Sequence, residues 1–232
     1  MCAGKHVILV RTCHDETTEH TYGWSEEIRR LFEEGGWTIT DCECEDAVRE
    51  QVEAALEQAP PESVFVFYGH GYVDNLEGRD GMPVCDLENA HLLGKCKVYT
   101  VACSSIMELG EAVAKRHGAP VYFGYADAIQ AYWIKREKYV RETTEMMAVL
   151  GNCVNSGLRA WLAQPERTAL EIRKIMKTAY EEGIDYCDKH FLEREDFDNN
   201  VAFQFLSRLR HNEEALTCLD DKNNECLTRL VS

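Results

Sequence analysis

Short apolar runs alternate with polar, helix-forming segments over the first half of the chain. The runs are rich in β-branched and aromatic residues and stop at small or polar ones, which is typical of buried strands. They predict strands at residues 5–12, 37–40, 63–68, 97–102 and 120–124. Helices are predicted between them at residues 25–32, 48–58 and 106–117. Strands that alternate with helices favour a parallel sheet with helices on both faces.

The second half of the chain has a different pattern, mainly helical. Helices are predicted at residues 132–149, 154–162 and 166–182. The strongly acidic segment 181–200 is predicted to be an exposed loop, and residues 201–209 and 214–219 are predicted as weaker elements. Residues 74–95 are polar and predict a loop or small hairpin with a short helix. The 232 residues fit one α/β domain, with a sheet core at 1–128 and a mainly helical remainder at 129–232.

Charge and hydropathy narrow the classes of partner. The formal net charge is −16, which disfavours nucleic acid and anionic membrane surfaces. No apolar stretch approaches the roughly 18 residues that a membrane-spanning helix needs, and the first residues lack the layout of a signal peptide. We therefore expect a cytoplasmic protein with no nucleic-acid or membrane partner.

The eleven cysteines are an odd number, so at least one stays outside any disulfide. In a cytoplasmic chain of this size we expect no disulfide framework, and Cys13, Cys96, Cys153 and Cys218 are predicted as small core residues. The spacing in residues 42–44 (Cys-Glu-Cys) is wrong for a zinc knuckle, and no second pair matches it. We expect no metal site and no cofactor.

Two short motifs follow predicted strands and carry reactive side chains. The strand at 63–68 leads into Gly-His-Gly, with His70 at its centre, and the strand at 97–102 leads into Cys103. If the two strands are parallel neighbours, both side chains lie at the same edge of the sheet, where open α/β sheets carry their sites. A thiol beside an imidazole is the minimum that cysteine acyl transfer requires.

The two motifs resemble those of the caspase-like cysteine peptidases, which include caspases, metacaspases, legumain, gingipains, separase, the bacterial CHAT proteases and other prokaryotic branches. The resemblance rests on residues 68–71 (Tyr-Gly-His-Gly), on residues 101–105 (Val-Ala-Cys-Ser-Ser), and on the strand–helix order of residues 5–128. It implies a three-layer sandwich. His70 and Cys103 are closer in sequence than in caspases, where about fifty residues separate the pair. The family often has glycine or another small residue two places after the cysteine, and here Ser105 and then Ile106 occupy that stretch.

The resemblance implies a role for each site residue. Cys103 would be the nucleophile and His70 the general acid/base, while the N–H groups of Gly71 and Cys103 would form the oxyanion hole. No third residue is needed to orient the imidazole in this family. A helix beginning near Ile106 is predicted to stabilise the Cys103 thiolate.

Specificity is predicted from the residues that follow the first and fifth strands. Asp15 or Asp127 could bind a basic P1 side chain of the substrate, whereas Arg11 could bind an acidic one. Ordinary loop or helix-cap roles fit Asp15 and Asp127 equally well. Of the two specificities the basic one is favoured.

The sequence thus predicts a cysteine endopeptidase that hydrolyses protein or peptide substrates through a Cys103 thioester. We expect control by an activating or inhibitory protein partner, by a ligand, or by cleavage within residues 181–200. Two alternatives stay open: a catalytically silent binding or regulatory module on the same fold, and a flavodoxin-like cofactor-binding domain. The latter lacks the expected Gly-rich phosphate loop.

Overall fold

A six-stranded sheet forms the centre of the computed structural model, which describes residues 5–131, 139–220 and 225–230. The strands in chain order are β1 (His6–Arg11), β2 (Thr38–Glu43), β3 (Val64–Tyr68), β4 (Asn75–Glu77), β5 (Pro83–Asp86), β6 (Lys97–Val101), β7 (Val121–Tyr125) and β8 (Leu216–Leu219). The sheet order is β2-β1-β3-β6-β7-β8, and every pairing is parallel except that of β7 with β8. β4 and β5 form a separate antiparallel hairpin, as predicted for residues 74–95.

Helices cover both faces of the sheet. They are α1 (Glu16–Glu34), α2 (Arg49–Gln58), α3 (Ala90–Leu93), α4 (Glu108–Glu111), α5 (Val140–Ala163), α6 (Ala169–Cys187) and α7 (Asn199–Ala215). α1, α5, α6 and α7 pack on one face, where Val64 and Val66 point, and α2, α3 and α4 pack on the other, where Phe65 and Phe67 point. Every residue of β3 is buried, which is why this strand has a continuous apolar sequence. The mostly parallel α/β sheet predicted from the sequence is confirmed.

The predicted boundaries change most in the helices. α1 begins well before residue 25, because Asp15 caps it and forms a reciprocal capping box with Thr18. α5 spans two predicted helices without a break; the first residues of the predicted helix 132–149, residues 132–138, lie outside the described ranges. The mainly helical second half also returns β8 to the sheet, so the sheet is not confined to residues 1–128.

The acidic segment 181–200 is not the exposed loop that the sequence predicts. α6 continues to Cys187, a wider helical turn follows at Asp188–Leu192, and α7 starts at Asn199. The side chains of Phe191 and Phe197 are buried among the surrounding helices. A few buried apolar side chains among many acidic residues hold the segment, and because their spacing is irregular the sequence shows no helical periodicity there.

The cysteines also differ from the prediction at one pair. Cys13 and Cys44 form a disulfide that links the segment after β1 to the residue after β2, so Cys13 is not a core residue. The two strands are neighbours in the sheet, and their ends therefore meet. Cys96, Cys153 and Cys218 are buried free thiols, as predicted. No helix in the described ranges has the length and apolar composition needed to cross a bilayer.

Candidate active site

His70 and Cys103 lie at the same edge of the sheet because their strands are direct neighbours. β3 and β6 pair in parallel, with Tyr68 opposite Val101, so each site residue follows a paired residue by two positions. Both side chains line one cavity of about 40 Å³, whose lining also includes Thr17, Thr21 and Trp24 of α1 and Met147 and Leu150 of α5. The prediction that His70 and Cys103 lie at the same edge of the sheet is confirmed.

Gly71 packs directly against the main chain of the cysteine motif. A Cβ at this position would stand 2.8 Å from the Ala102 Cβ and 2.9 Å from the Cys103 carbonyl oxygen, so only glycine fits. Gly71 forms a single antiparallel bridge with Leu76 of β4. The N–H of Tyr72 donates to β4, and the carbonyl of His70 accepts from β4. The N–H of Gly71, which lies between them, therefore points away from β4.

The turn after Cys103 has an unusual backbone conformation. Ser104 has φ +50°, in the left-handed region that non-glycine residues seldom occupy. Its N–H donates to the carbonyl of Asp127 at 3.0 Å, which fastens the turn to the segment after β7. The turn and this bond together fix the direction in which the Cys103 side chain leaves the sheet.

The electrostatics around Cys103 differ from the sequence prediction. Burial raises the pKa of the thiol, the negative charge of Asp127 raises it further, and a 3.3 Å hydrogen bond from the Ile129 N–H only partly compensates. The predicted lowering by a helix N-terminus is wrong, because α4 begins only at Glu108 and has four residues. The resting side chain is therefore a protonated thiol at neutral pH.

Asp15 supplies an orienting partner for His70, which the sequence analysis did not expect. Its Oδ2 lies 2.6 Å from His70 Nε2, while its Oδ1 accepts from the Thr18 N–H at 2.8 Å. Burial alone would raise the pKa of Asp15, but the hydrogen bonds from Thr18 and His70 outweigh it and lower the pKa to about 2. At neutral pH the carboxylate can only accept, so the shared proton belongs to His70 Nε2. The neutral imidazole then has its unprotonated nitrogen at Nδ1.

Only the tertiary structure brings Asp15 and His70 together. Asp15 follows β1 and His70 follows β3, and these strands are parallel neighbours in the sheet. The one signal in the sequence was that both residues come directly after predicted strands. The contact could have been predicted from that signal only if β1 and β3 had been known to be neighbours in the sheet.

Arg11 is not a substrate-binding residue, and the prediction that it could accept an acidic P1 side chain is wrong. The side chain is 1% exposed. It makes a bidentate pair with Asp41 at 3.0 and 2.7 Å, with further ion pairs to Glu26 and Glu43. The guanidinium also lies 4.7 Å from the ring centre of Tyr22. Its charge is already neutralised within the fold.

Asp127 stays accessible next to the nucleophile. Its side chain is 66% exposed, and its charge acts on the Cys103 thiol. The carboxylate accepts from the N–H of Ala128 at 2.7 Å and lies 3.7 Å from His211 Nε2. Of the three residues predicted for the substrate pocket, Asp127 is therefore the one whose charge is both exposed and close to Cys103.

A larger cavity of about 560 Å³ lies between α5 and α6. Its lining carries charges of both signs, from Arg159, Arg167 and Lys174 and from Glu171 and Glu182, and includes neither cysteine nor histidine. It is therefore separate from the thiol–imidazole site.

Comparison with known proteins adds no identification. No model of a known protein family matches the chain, and a search of curated proteins finds no match either. Residues and geometry are therefore the basis on which its function can be inferred.

Proposed function

We propose that this protein is a caspase-like cysteine endopeptidase that hydrolyses peptide bonds through a thioester on Cys103. The observation that carries the proposal is the placement of a thiol and an imidazole after adjacent parallel strands, where both line one cavity. The resemblance of the two motifs, and the mostly parallel sheet with helices on both faces, support the caspase-like form of the fold.

The resting state of the pair suggests how the reaction begins. Because the thiol is protonated, His70 Nδ1 accepts its proton as Sγ adds to the substrate carbonyl carbon. The oxyanion that forms is stabilised by the N–H groups of Gly71 and Cys103. The imidazolium then protonates the leaving amine as the C–N bond breaks, and a thioester remains.

Hydrolysis of the thioester uses the same groups in reverse. His70 accepts a proton from water as the oxygen adds to the thioester carbon. The C–S bond breaks, the carboxylic acid product leaves, and the proton returns to the Cys103 sulfur. Throughout, the Asp15 carboxylate holds the imidazole in one orientation and stabilises its charged form.

We propose a basic P1 residue, recognised by Asp127. A lysine or arginine side chain would exchange water for a charge-assisted hydrogen bond to an exposed carboxylate beside the nucleophile. Asp15 is a weaker candidate because its two oxygens already bond Thr18 and His70.

The size of the cavity supports control by a partner protein or a ligand. The cavity that His70 and Cys103 line is only about 40 Å³, which leaves little room for a substrate beside the nucleophile in the resting site. Cleavage within 181–200 is a less favourable trigger, because it would cut a helical segment held by buried aromatic residues. Intact-mass analysis of the active form distinguishes the two: an uncleaved active chain supports partner or ligand control.

A catalytically silent binding module is the second candidate. The raised pKa of the Cys103 thiol and the narrow cavity favour it, since neither is set up for nucleophilic attack. The two candidates differ in the reactivity of Cys103 toward a small electrophile.

The deciding experiment is a fluorogenic peptide-library screen of the wild type, Cys103→Ala and His70→Ala, with His91→Ala as control. His91 is exposed on α3, so its loss should leave cleavage unchanged. We expect cleavage after lysine or arginine, none in Cys103→Ala, and a loss of about 100-fold or more in His70→Ala, the usual contribution of a general acid/base. Cleavage that survives Cys103→Ala contradicts the proposal.

If no variant cleaves, iodoacetamide labelling of the folded wild type decides between the two candidates. Selective labelling of Cys103 with a rate lowered by His70→Ala supports an enzyme that awaits its activator. A thiol as unreactive as the buried cysteines overturns the peptidase and leaves the binding module.

A further inference from the structure

Three side chains with metal-binding atoms converge beside the thiol–imidazole site. His14 and Asp15 follow β1, and His70 follows the neighbouring β3. One donor atom from each lies within 4.8 Å of the others, and the rings of the two histidines are 5.7 Å apart between centres. Among the described residues this is the one group of three or more such side chains that could hold a metal ion.

We propose that His14, Asp15 and His70 form a binding site for Zn²⁺, and that the bound ion switches off the proposed peptidase. Two imidazoles and one carboxylate are a common three-ligand set for zinc, with a fourth position open to water. Mg²⁺ and Ca²⁺ prefer oxygen ligands throughout, so the mixed set selects against them.

The geometry requires only small movements. Zinc bonds of about 2.0–2.2 Å place tetrahedral donor atoms roughly 3.4 Å apart. The donor atoms, which lie within 4.8 Å of one another, must therefore change their separations by up to about 1.4 Å. The side chains of His14 and Asp15 are exposed and that of His70 is 29% exposed, so rotation can supply this adjustment. Asp15 keeps Oδ1 on the Thr18 N–H, which leaves Oδ2 for the ion. The Cys13–Cys44 disulfide anchors the segment immediately before His14.

Inhibition follows from the tautomer of His70, and this step rests on the proposed function. In the tautomer that Asp15 favours, Nε2 bears the shared proton, and Nδ1 is the nitrogen that accepts the Cys103 proton in the proposed mechanism. A neutral imidazole that binds zinc through Nε2 carries its one proton on Nδ1. The general base would then present a donor to the thiol in place of an acceptor, and the first proton transfer could not occur.

Metal binding is tested with ZnCl₂ alone, on the full chain in its Cys103→Ala form. This variant removes the neighbouring thiol as a ligand and makes the readout independent of catalysis. Titration calorimetry should show one site, and CoCl₂ should give the visible absorption of a tetrahedral nitrogen–oxygen site. We expect His14→Ala to weaken binding by about 10-fold or more, since even loss of an outer-sphere partner has that effect. His91→Ala, the matched exposed histidine, should bind as the parent does.

Several results would overturn the site: no binding, binding unchanged by His14→Ala, or equal binding of MgCl₂. Binding that appears only when Cys103 is present would place the ion on the thiol instead. Circular dichroism of His14→Ala checks that this exposed substitution leaves the fold intact.

The inhibitory step is tested separately, with each variant compared with its own metal-free rate. Zn²⁺ should lower peptide cleavage or Cys103 alkylation in the wild type, and His14→Ala should need about 10-fold more metal for the same effect. Zinc that binds through His14 without lowering either rate overturns the switch and keeps the site. Absence of cleavage together with an unreactive Cys103 would count against the peptidase and leave the calorimetric result standing.

Discussion

Asp15 combines two roles that substitutions can separate. Its Oδ1 caps α1 through the Thr18 N–H, and its Oδ2 holds His70. Asp15→Asn keeps an oxygen for the cap and removes the charge, whereas Asp15→Ala removes both. Thr168→Ala is a matched control, because Thr168 forms the same kind of capping box at the start of α6.

The expected magnitudes follow from these contacts. Loss of an N-cap costs about 1 kcal/mol, in Asp15→Ala and Thr168→Ala alike. The difference between the ordinary pKa of 3.8 and about 2 corresponds to at most ~2.4 kcal/mol. Because the Asp15 side chain is 44% exposed, screening reduces this to about 1 kcal/mol, part of which belongs to the cap. We therefore expect losses of about 1.5–2 kcal/mol in Asp15→Ala and about 0.5–1 kcal/mol in Asp15→Asn.

The pH dependence of these losses has a definite sign. The pKa of Asp15 is lower in the folded than in the unfolded protein, so its charge stabilises the fold fully above about pH 4. That stabilisation is lost as the pH falls through 3.8 toward about 2. Urea unfolding should therefore show a constant gap between wild type and Asp15→Asn at neutral pH, and a shrinking gap near pH 3 and below. A gap that stays constant at low pH, or an Asp15→Asn as unstable as Asp15→Ala, would refute this reasoning.

The same variants test whether Asp15 positions His70. An asparagine amide can donate as well as accept, so it no longer enforces the Nε2–H tautomer. The rate of cleavage, or of Cys103 alkylation, should fall at least about 10-fold in Asp15→Asn. The variant should remain folded under the assay conditions, so its loss of stability does not explain the loss of rate. Thr168→Ala should keep the wild-type rate. An equal loss of rate in Thr168→Ala would mean that destabilisation, and not orientation, is responsible.

Three further predictions address the charges and the disulfide near the site. Arg11→Met should lower the free energy of unfolding by about 2 kcal/mol, less than the roughly 3–5 kcal/mol typical of fully buried ion pairs, because the carboxylates left behind are partly exposed. Urea unfolding measures this loss, and an unchanged stability would contradict the assignment of Arg11 as a buried cation. Reduction of Cys13–Cys44, which are 31 residues apart, should lower the free energy of unfolding by roughly 3–4 kcal/mol; alkylation under denaturing conditions should add two adducts after reduction, and no extra adduct would rule out the bond. Asp127→Asn should lower the pKa of the Cys103 thiol and raise its iodoacetamide rate about twofold near pH 8; a slower rate would contradict the sign.

The sequence by itself determined the strands and the two reactive motifs. Strands buried on both faces have continuous apolar runs, so Val64–Tyr68 was visible without knowledge of its neighbours. Each run ends where backbone leaves the sheet, which placed His70 and Cys103 at strand ends. Whether they meet depended on one further assumption, that the two strands are adjacent, and the parallel pairing of β3 with β6 satisfies it.

The tertiary structure alone decided how the charged groups are distributed around that pair. Asp15 bonds His70 across 55 residues of sequence, because β1 becomes the neighbour of β3. Arg11 is enclosed because carboxylates from α1 and β2 reach it from either side. Local periodicity records which face of an element is buried, and so it predicts elements. Which charges pair is set by contacts between distant segments. The hydrogen bond from His70 helps to lower the pKa of Asp15, whereas burial raises the pKa of Cys103.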